Sequence, residues 1–322
     1  MAQSSGEVAA AVADPVDAAL QRSESTFRSP RMFDADDTSA VEGVVRWKPA
    51  KSLWISGLTL AALVGGPWHF TWGAAALFTT TAVTVCLGHS LGMHRRLIHR
   101  SYDCPLWLER LFVYLGTLVG MAGPYAMIRQ HDIRDWAQRK ARCHPYLAHR
   151  SPIWLDGYWQ LHRELSLAHP PQLVLERRVA EDRFYRFLER TWMAQQLPWA
   201  VLFYALGGMP WLVWGIAARA AASVTGHWLV GYFAHNRGPR SWHIEGAGVQ
   251  GYNVPYCGLI TMGEAWHNNH HAFPGSARLG LRRGEVDPGW WVLSVLAWLG
   301  LVWGVKTPES LPHRPNLVPL RF

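Results

Sequence analysis

The stretch that most restricts this chain runs from Ser52 to His94, 43 consecutive residues without an Asp, Glu, Lys or Arg. A membrane-crossing helix needs about 20 apolar residues, so the run covers two crossings. Gly65-Gly66-Pro67 marks the expected break between them. A second run, Thr191 to Asn236, carries the single charge Arg219 and is interrupted by Gly207-Gly208-Met209-Pro210. Two such hairpins predict an all-α integral membrane protein with four transmembrane helices and a cytosolic helical cap. Composition agrees: charged residues are only 17%, and the 19 Trp suit a membrane–water interface.

The net charge of +8 is compatible with nucleic acid or with anionic lipid. No RNP motif, zinc finger or basic helix is present, which argues against nucleic acid. Cys86, Cys104, Cys143 and Cys257 are scattered and form no CxxC, so neither a disulfide framework nor an iron–sulfur site is indicated. Arg95, Arg96 and Arg100 after the first hairpin, and the many arginines of residues 129–190, place those ends in the cytoplasm by the positive-inside rule. Leu111–Ile128 is uncharged but reads as an interfacial or re-entrant helix, because a crossing there would put its flanking histidines on opposite sides of the membrane. Gly289–Val305 reads as a cap or interfacial helix. The expected organisation is a disordered tail over 1–45 with a short helix near Ala9–Leu20, a membrane domain over 46–306 and a C-terminal tail over 307–322. Both termini face the cytoplasm, and with no targeting signal the expected location is the bacterial inner membrane.

Every histidine-rich element then falls at one face. These are His94-x4-His99, His131-Asp132-Ile133-Arg134-Asp135, His227 with His235, and Trp266-His267-Asn268-Asn269-His270-His271. On a helix His267, His270 and His271 leave one side. Converging imidazoles suit iron, zinc or copper rather than magnesium or calcium. Helices that project imidazoles inward can hold two metal ions. Glu264, Asp132 and Asp135 are candidate acceptors for the second ring nitrogens. The plainer alternatives are a wet histidine-rich turn for the last cluster, a helix-packing role for His89, and a solvated loop or supporting role for His144, His149 and His162.

With those residues in view, the chain resembles the membrane-bound di-iron fatty acyl desaturases. Its first box is similar to His94-Arg95-Arg96-Leu97-Ile98-His99, and its third to Gly263-Glu264-Ala265-Trp266-His267-Asn268-Asn269-His270-His271-Ala272-Phe273-Pro274. The resemblance covers about residues 46–306. It implies two non-haem irons, O2 as co-substrate, removal of two hydrogens from a long acyl chain in the bilayer, and a separate electron donor of the cytochrome b5, ferredoxin or rubredoxin type. The implied metal set is His94, His99, His131, His235, His267, His270 and His271, with Asp135 and His227 as further candidates. Two departures stand out. Where the second box should read His-x-x-His-His, this chain has Arg134 and Asp135 in the last two places; Arg cannot ligate a metal, whereas a carboxylate can. Gly231 also stands four residues before His235, where the family usually carries Asn.

The substrate is then an acyl-CoA, an acyl-carrier protein or a membrane lipid. The altered second box leaves room for hydroxylation, or for a sphingolipid or carotenoid substrate, because ligand identity tunes a metal. A non-catalytic metal-binding membrane protein or a transporter is the reading from another class. A transporter would place ionisable groups deep in its spans, and the first hairpin has none.

Overall fold

The computed structural model describes residues 31–320. The expected helix near Ala9–Leu20 lies outside them. The fold is mostly helical, with three short antiparallel ribbons that an all-α description omits. In chain order the first elements are β1 (Met32–Phe33), β2 (Gly43–Trp47) and α1 (Pro49–Trp68). Helix α2 (Trp72–Gly88) runs directly into a π-helical stretch, His89–Ile98. Next come α3 (Leu106–Thr117), α4 (Pro124–Arg139), α5 (Pro145–Ala148), α6 (Ile153–His162), β3 (Arg163–Leu167), β4 (Gln172–Leu173), α7 (Arg177–Ala180) and α8 (Arg183–Thr191). A long stretch follows: α9 (Gln196–Leu212), a π-turn over Val213–Ala218, and α10 (Arg219–Asn236). The chain closes with β5 (Trp242–Ile244), α11 (His267–Ala272), α12 (Pro288–Trp298) and β6 (Leu317–Pro319).

Two continuous helical stretches, Trp72–Ile98 and Gln196–Asn236, are long and apolar enough to cross a bilayer. The second has 41 residues, about 60 Å if straight, against a hydrocarbon core of about 30 Å. It is not straight. Gly208 adopts φ 62° and ψ −153°, a conformation essentially reserved for glycine. The chain folds back there: Arg219 donates to the Gln196 side chain, and Gly215 packs on the Phe203 ring.

The Gly65-Gly66-Pro67 break expected from sequence is absent. Those residues lie in the last turn of α1, which ends at Trp68; the chain turns over residues 69–71, where Thr71 caps α2 by accepting from the Ala74 N–H. The glycines serve packing instead. A Cβ on Gly65 would meet Val213 at 3.3 Å, and the Gly66 carbonyl accepts from Trp214 Nε1 at 3.1 Å. Leu111–Ile128 is likewise not one helix. Gly120, at φ +87°, separates α3 from α4, and its carbonyl accepts from Trp54 Nε1. Of Gly289–Val305, only the part up to Trp298 is helical.

The polar layer around the helix ends is held by buried ion pairs. Residues 31–45, expected to belong to a disordered tail, are ordered: β1 pairs with β4, and β2 with β3. Arg31 explains the ordering. Its buried guanidinium donates to Glu176 (2.6 Å), Asp132 (3.1 Å) and the carbonyls of Leu97 and Ile98. Sequence could not signal this, since an Arg in a polar stretch reads as solvated. Arg95 and Arg96, read above as topology-setting charges, are also buried partners. Arg95 bonds Asp287 and the carbonyls of Met262 and Ala277, each at 2.7 Å; Arg96 bonds Glu109 at 2.7 Å. The C-terminal segment packs back as well, with β6 on β5 and Arg314 donating to the His271 carbonyl.

Removing one partner of a buried pair strands the other's charge, at a cost of about 3–5 kcal/mol. Arg31→Ala is therefore expected to lower thermal stability in detergent by that amount, read as a shift of the melting curve. Burial alone would raise the Glu176 carboxyl, but Arg31 and then Arg100 hold it below its ordinary 4.5. Such a group stabilises the fold above its unfolded value and loses that contribution as pH falls through the folded one. The Arg31-dependent stability should thus be full near neutrality and fade only below about pH 4.5.

Candidate metal centre

The π-helical stretch sets the first pair of ligands. In an α-helix residues four apart stack; with i→i+5 bonding, residues five apart do. His99 N–H indeed bonds the His94 carbonyl at 3.0 Å, and the two rings lie 4.7 Å apart, centre to centre. The His-x4-His spacing is thus matched to its local winding. Helix α4 contributes His131 and the short α11 contributes His267, His270 and His271. Helix α10 contributes His235.

Seven imidazoles sort into two groups. His94, His99, His131 and His270 form one, and His235, His267 and His271 the other; within each, the potential ligand nitrogens lie within 4.8 Å of one another. Closest approaches are 3.2 Å between His99 and His131 Nε2, 3.1 Å between His235 and His267 Nε2, and 2.9 Å between His267 and His271 Nε2. Nitrogens about 2.1 Å from a common ion, at tetrahedral or octahedral angles, stand about 2.9–3.4 Å apart. The donor sets fit a metal on that test.

Three of the second ring nitrogens stand against an acceptor, which favours the other nitrogen of those rings facing the cluster. His94 Nδ1 is 2.6 Å from Glu264 Oε2, His131 Nδ1 is 3.3 Å from Asp132 Oδ1, and His235 Nδ1 donates to the Gly231 carbonyl at 2.7 Å. Glu264 is itself held by Ser90 (2.6 Å) and Arg95 (3.4 Å). Burial would raise its carboxyl, but His94 and Arg95 keep it well below the usual range and so ionised. Gly263, at φ +92°, makes room for this arrangement: a Cβ there would stand 2.9 Å from Arg95 Nη2.

The structure does not bring every candidate into the two groups. Asp135 lines the same cavity as His131 and His271 but stands outside both groups, its Oδ2 2.9 Å from Arg139. Burial would raise its carboxyl; Arg139 and then His131, His271 and His270 hold it far below the ordinary value, so it is an anion facing the imidazoles. His227 also lines the cavity outside both groups, packed edge-on against His89 at 5.0 Å. Arg134 reaches the cavity wall and bonds Gln160 Oε1 at 2.9 Å. Of the two roles open to His149, the solvated loop is excluded: it is buried, stacked on His235 at 5.3 Å, with Nδ1 2.9 Å from Asp156.

Two histidine groups at the ends of helices long and apolar enough to cross a bilayer make a site suited to metal ions held through imidazole nitrogens. The chain matches the fatty acid desaturase family over residues 67–285. It is 33% identical over 269 residues to an acyl-CoA 5-desaturase of Anemone leveillei, covering 81% of this chain and 80% of that one. It is 33% identical over 268 residues to an sn-1 stearoyl-lipid 9-desaturase of Anabaena variabilis, covering 83% and 96%. To an sn-2 palmitoyl-lipid 9-desaturase of Nostoc it is 30% identical over 265 residues, covering 80% and 90%. The chain therefore belongs to the fatty acid desaturase family and is an oxidoreductase, a fatty acyl desaturase with histidine boxes.

Burial, and then repulsion between neighbouring imidazoles, hold His267 and His270 well below the ordinary 6.5. Burial first, against the pull of Asp135, brings His271 to about 4. A depressed value means protons compete for the lone pairs only at lower pH. Metal at the His235–His267–His271 group is therefore expected to be retained as pH falls through 6.5 and released nearer pH 4. It should leave earlier from the group holding His131, whose ring burial would lower but Asp135 and Asp132 hold above 6.5. Metal analysis after dialysis across that range reads the release point.

Proposed function

We propose that the protein inserts a double bond into a long-chain acyl group carried on CoA, on an acyl-carrier protein or in a membrane lipid, using O2 and two non-haem iron ions. The observation that carries this reading is the split of seven buried or half-buried imidazoles into two groups, each with ligand nitrogens at ion-sharing distance. His94, His99, His131 and His270 would hold one ion. His235, His267 and His271, with Asp135 offering the oxygen not engaged by Arg139, would hold the other; carboxylate ligation of iron is ordinary chemistry. The bound pair supplies activation of O2 strong enough to attack an unactivated C–H bond. The protein's own part is to set acceptors behind His94, His131 and His235, hold the third-box imidazoles unprotonated near neutrality and shield the centre. Glu264, Asp132 and the Gly231 carbonyl are those acceptors.

In this reading α1, α2 with its π-helical stretch, α9 and the Val213–Asn236 stretch are four spans in two hairpins. The histidine layer and both termini lie on the cytoplasmic side of a bacterial inner membrane. Gly208 reverses one hairpin and the segment before Thr71 the other, which returns His94 and His235 to one level. Electrons come, in this reading, from a separate protein of the cytochrome b5, ferredoxin or rubredoxin type. The acyl-CoA and acyl-lipid activities carried in the relatives' names support the substrate class.

A second outcome, hydroxylation on the same scaffold, is favoured by one observation: Arg134 and Asp135 put a cation and an anion where the family places two imidazoles. Incubation with reductant, electron donor and acyl substrates, followed by mass spectrometry, distinguishes the two by loss of two hydrogens or gain of one oxygen. The expected result is loss of two hydrogens. For the metal, the expected count is two ions per chain, falling to one in Asp135→Ala. One ion or none in the unaltered protein would remove the two-iron reading.

A further inference from the structure

His149 has no counterpart among the three boxes, yet its surroundings are built with unusual care. It ends α5 at φ +53°, the left-handed region that residues other than glycine take uncommonly, Asn, Asp and His most often among them. Such strain persists where the surroundings over-determine it, and it collects at functional sites. Its carbonyl accepts from Asn236 Nδ2 at 2.8 Å, which ties it to the end of α10. Its Nδ1 faces Asp156 Oδ2 at 2.9 Å, and that same oxygen accepts from Trp228 Nε1 at 2.9 Å. A carboxylate acceptor fixes the proton on Nδ1 and leaves the Nε2 lone pair free, as in the carboxylate–histidine pairs of metal sites.

That Nε2 is buried and has no hydrogen-bond partner. An unpaired buried acceptor is costly and asks for an explanation. Its direction supplies one. A Cβ built on Gly231 would stand 3.6 Å from Nε2, and Gly231 lines the cavity of the histidine groups. Gly231 therefore puts no side chain between Nε2 and the cavity it lines, although His149 itself stands behind that wall. The ring also lies parallel to His235, at 13° and 5.3 Å, a separation within the range of ring distances inside the two groups.

We propose that His149 is a further nitrogen donor at the His235–His267–His271 site, acting across the space left by Gly231, with Asp156 as its positioning carboxylate. This rests on reading that group as a metal site. It would mean that a polar side chain expected from α10 at position 231 is replaced by one delivered from the turn after α5.

The test is titration of the metal-free full-length protein in detergent with Co(II), following the visible ligand-field bands and the ion count. The unaltered protein is expected to bind two ions. His149→Ala should leave the first unchanged, weaken the second about 10- to 100-fold and alter the bands. Gly231→Asn in that background should recover most of the loss by offering an amide oxygen from the same space. Gly231→Ala keeps the test decisive if His149→Ala does not fold. Alanine favours a helix over glycine, and its methyl fits at van der Waals distance while filling the space before Nε2. It should preserve or raise thermal stability yet weaken the second ion. Two ions bound with unchanged affinity and bands in both His149→Ala and Gly231→Ala would overturn the role of His149 alone. A single ion in the unaltered protein would overturn the two-metal reading and this role with it.

Discussion

The constraint on which the structure depends is that imidazoles from four separate elements must bring bare nitrogens together, several of them with the other nitrogen set against an acceptor. A histidine free to rotate or to protonate would scatter seven rings rather than gather them. The fold meets the requirement with a ring of fixed acceptors: Glu264 behind His94, Asp132 behind His131, the Gly231 carbonyl behind His235. Those acceptors are held in turn by arginines. Arg95 bridges Glu264 and Asp287, while Arg31 bridges Asp132 and Glu176. Asp287 also caps α12 by accepting from the Trp290 N–H. The metal layer and the packing of the polar layer are thus one electrostatic network.

Much of the site was legible because its residues carry their own signal. The third box is contiguous and the first is a fixed spacing at the end of an apolar run, so both could be read from residue type alone. Asp135 and Arg134 were visible as departures from a pattern. What could not be read depended on contacts between distant segments. Arg31 looks like any charge in a polar tail until Glu176 and Asp132 are placed beside it. Gly65 and Gly66 look like a helix break because glycine serves both turns and close approach; only the position of Val213 and Trp214 decides. Gly231 is visible as a departure and His149 as one of several spare histidines, but their relation exists only in space.

Helix geometry was misread in the same direction. Leu111–Ile128 and Gly289–Val305 were each taken as one helix on the strength of missing charge. Lack of charge reports the surroundings of a segment, not its backbone. Gly120 in the left-handed region ends one of them, and the other stops at Trp298, before Gly300 takes up φ +73°. The break at Gly208, by contrast, coincided with its glycine pair, since a reversal between two long apolar helices leaves little choice of residue.

The π-helical stretch through His94 and His99 carries a consequence for how such a chain tolerates change in length. Its winding accommodates one more residue per turn than the helix leading into it. Removing any single residue between the two histidines would let ordinary α-helical winding resume while still stacking the rings, now four apart. The apolar helix behind them would meanwhile turn relative to the polar layer, and the buried Arg95 and Arg96 would face new partners. The spacing of this motif is therefore a record of rotational phase between a membrane helix and its cap, and a shortened version would be misaligned rather than merely weaker.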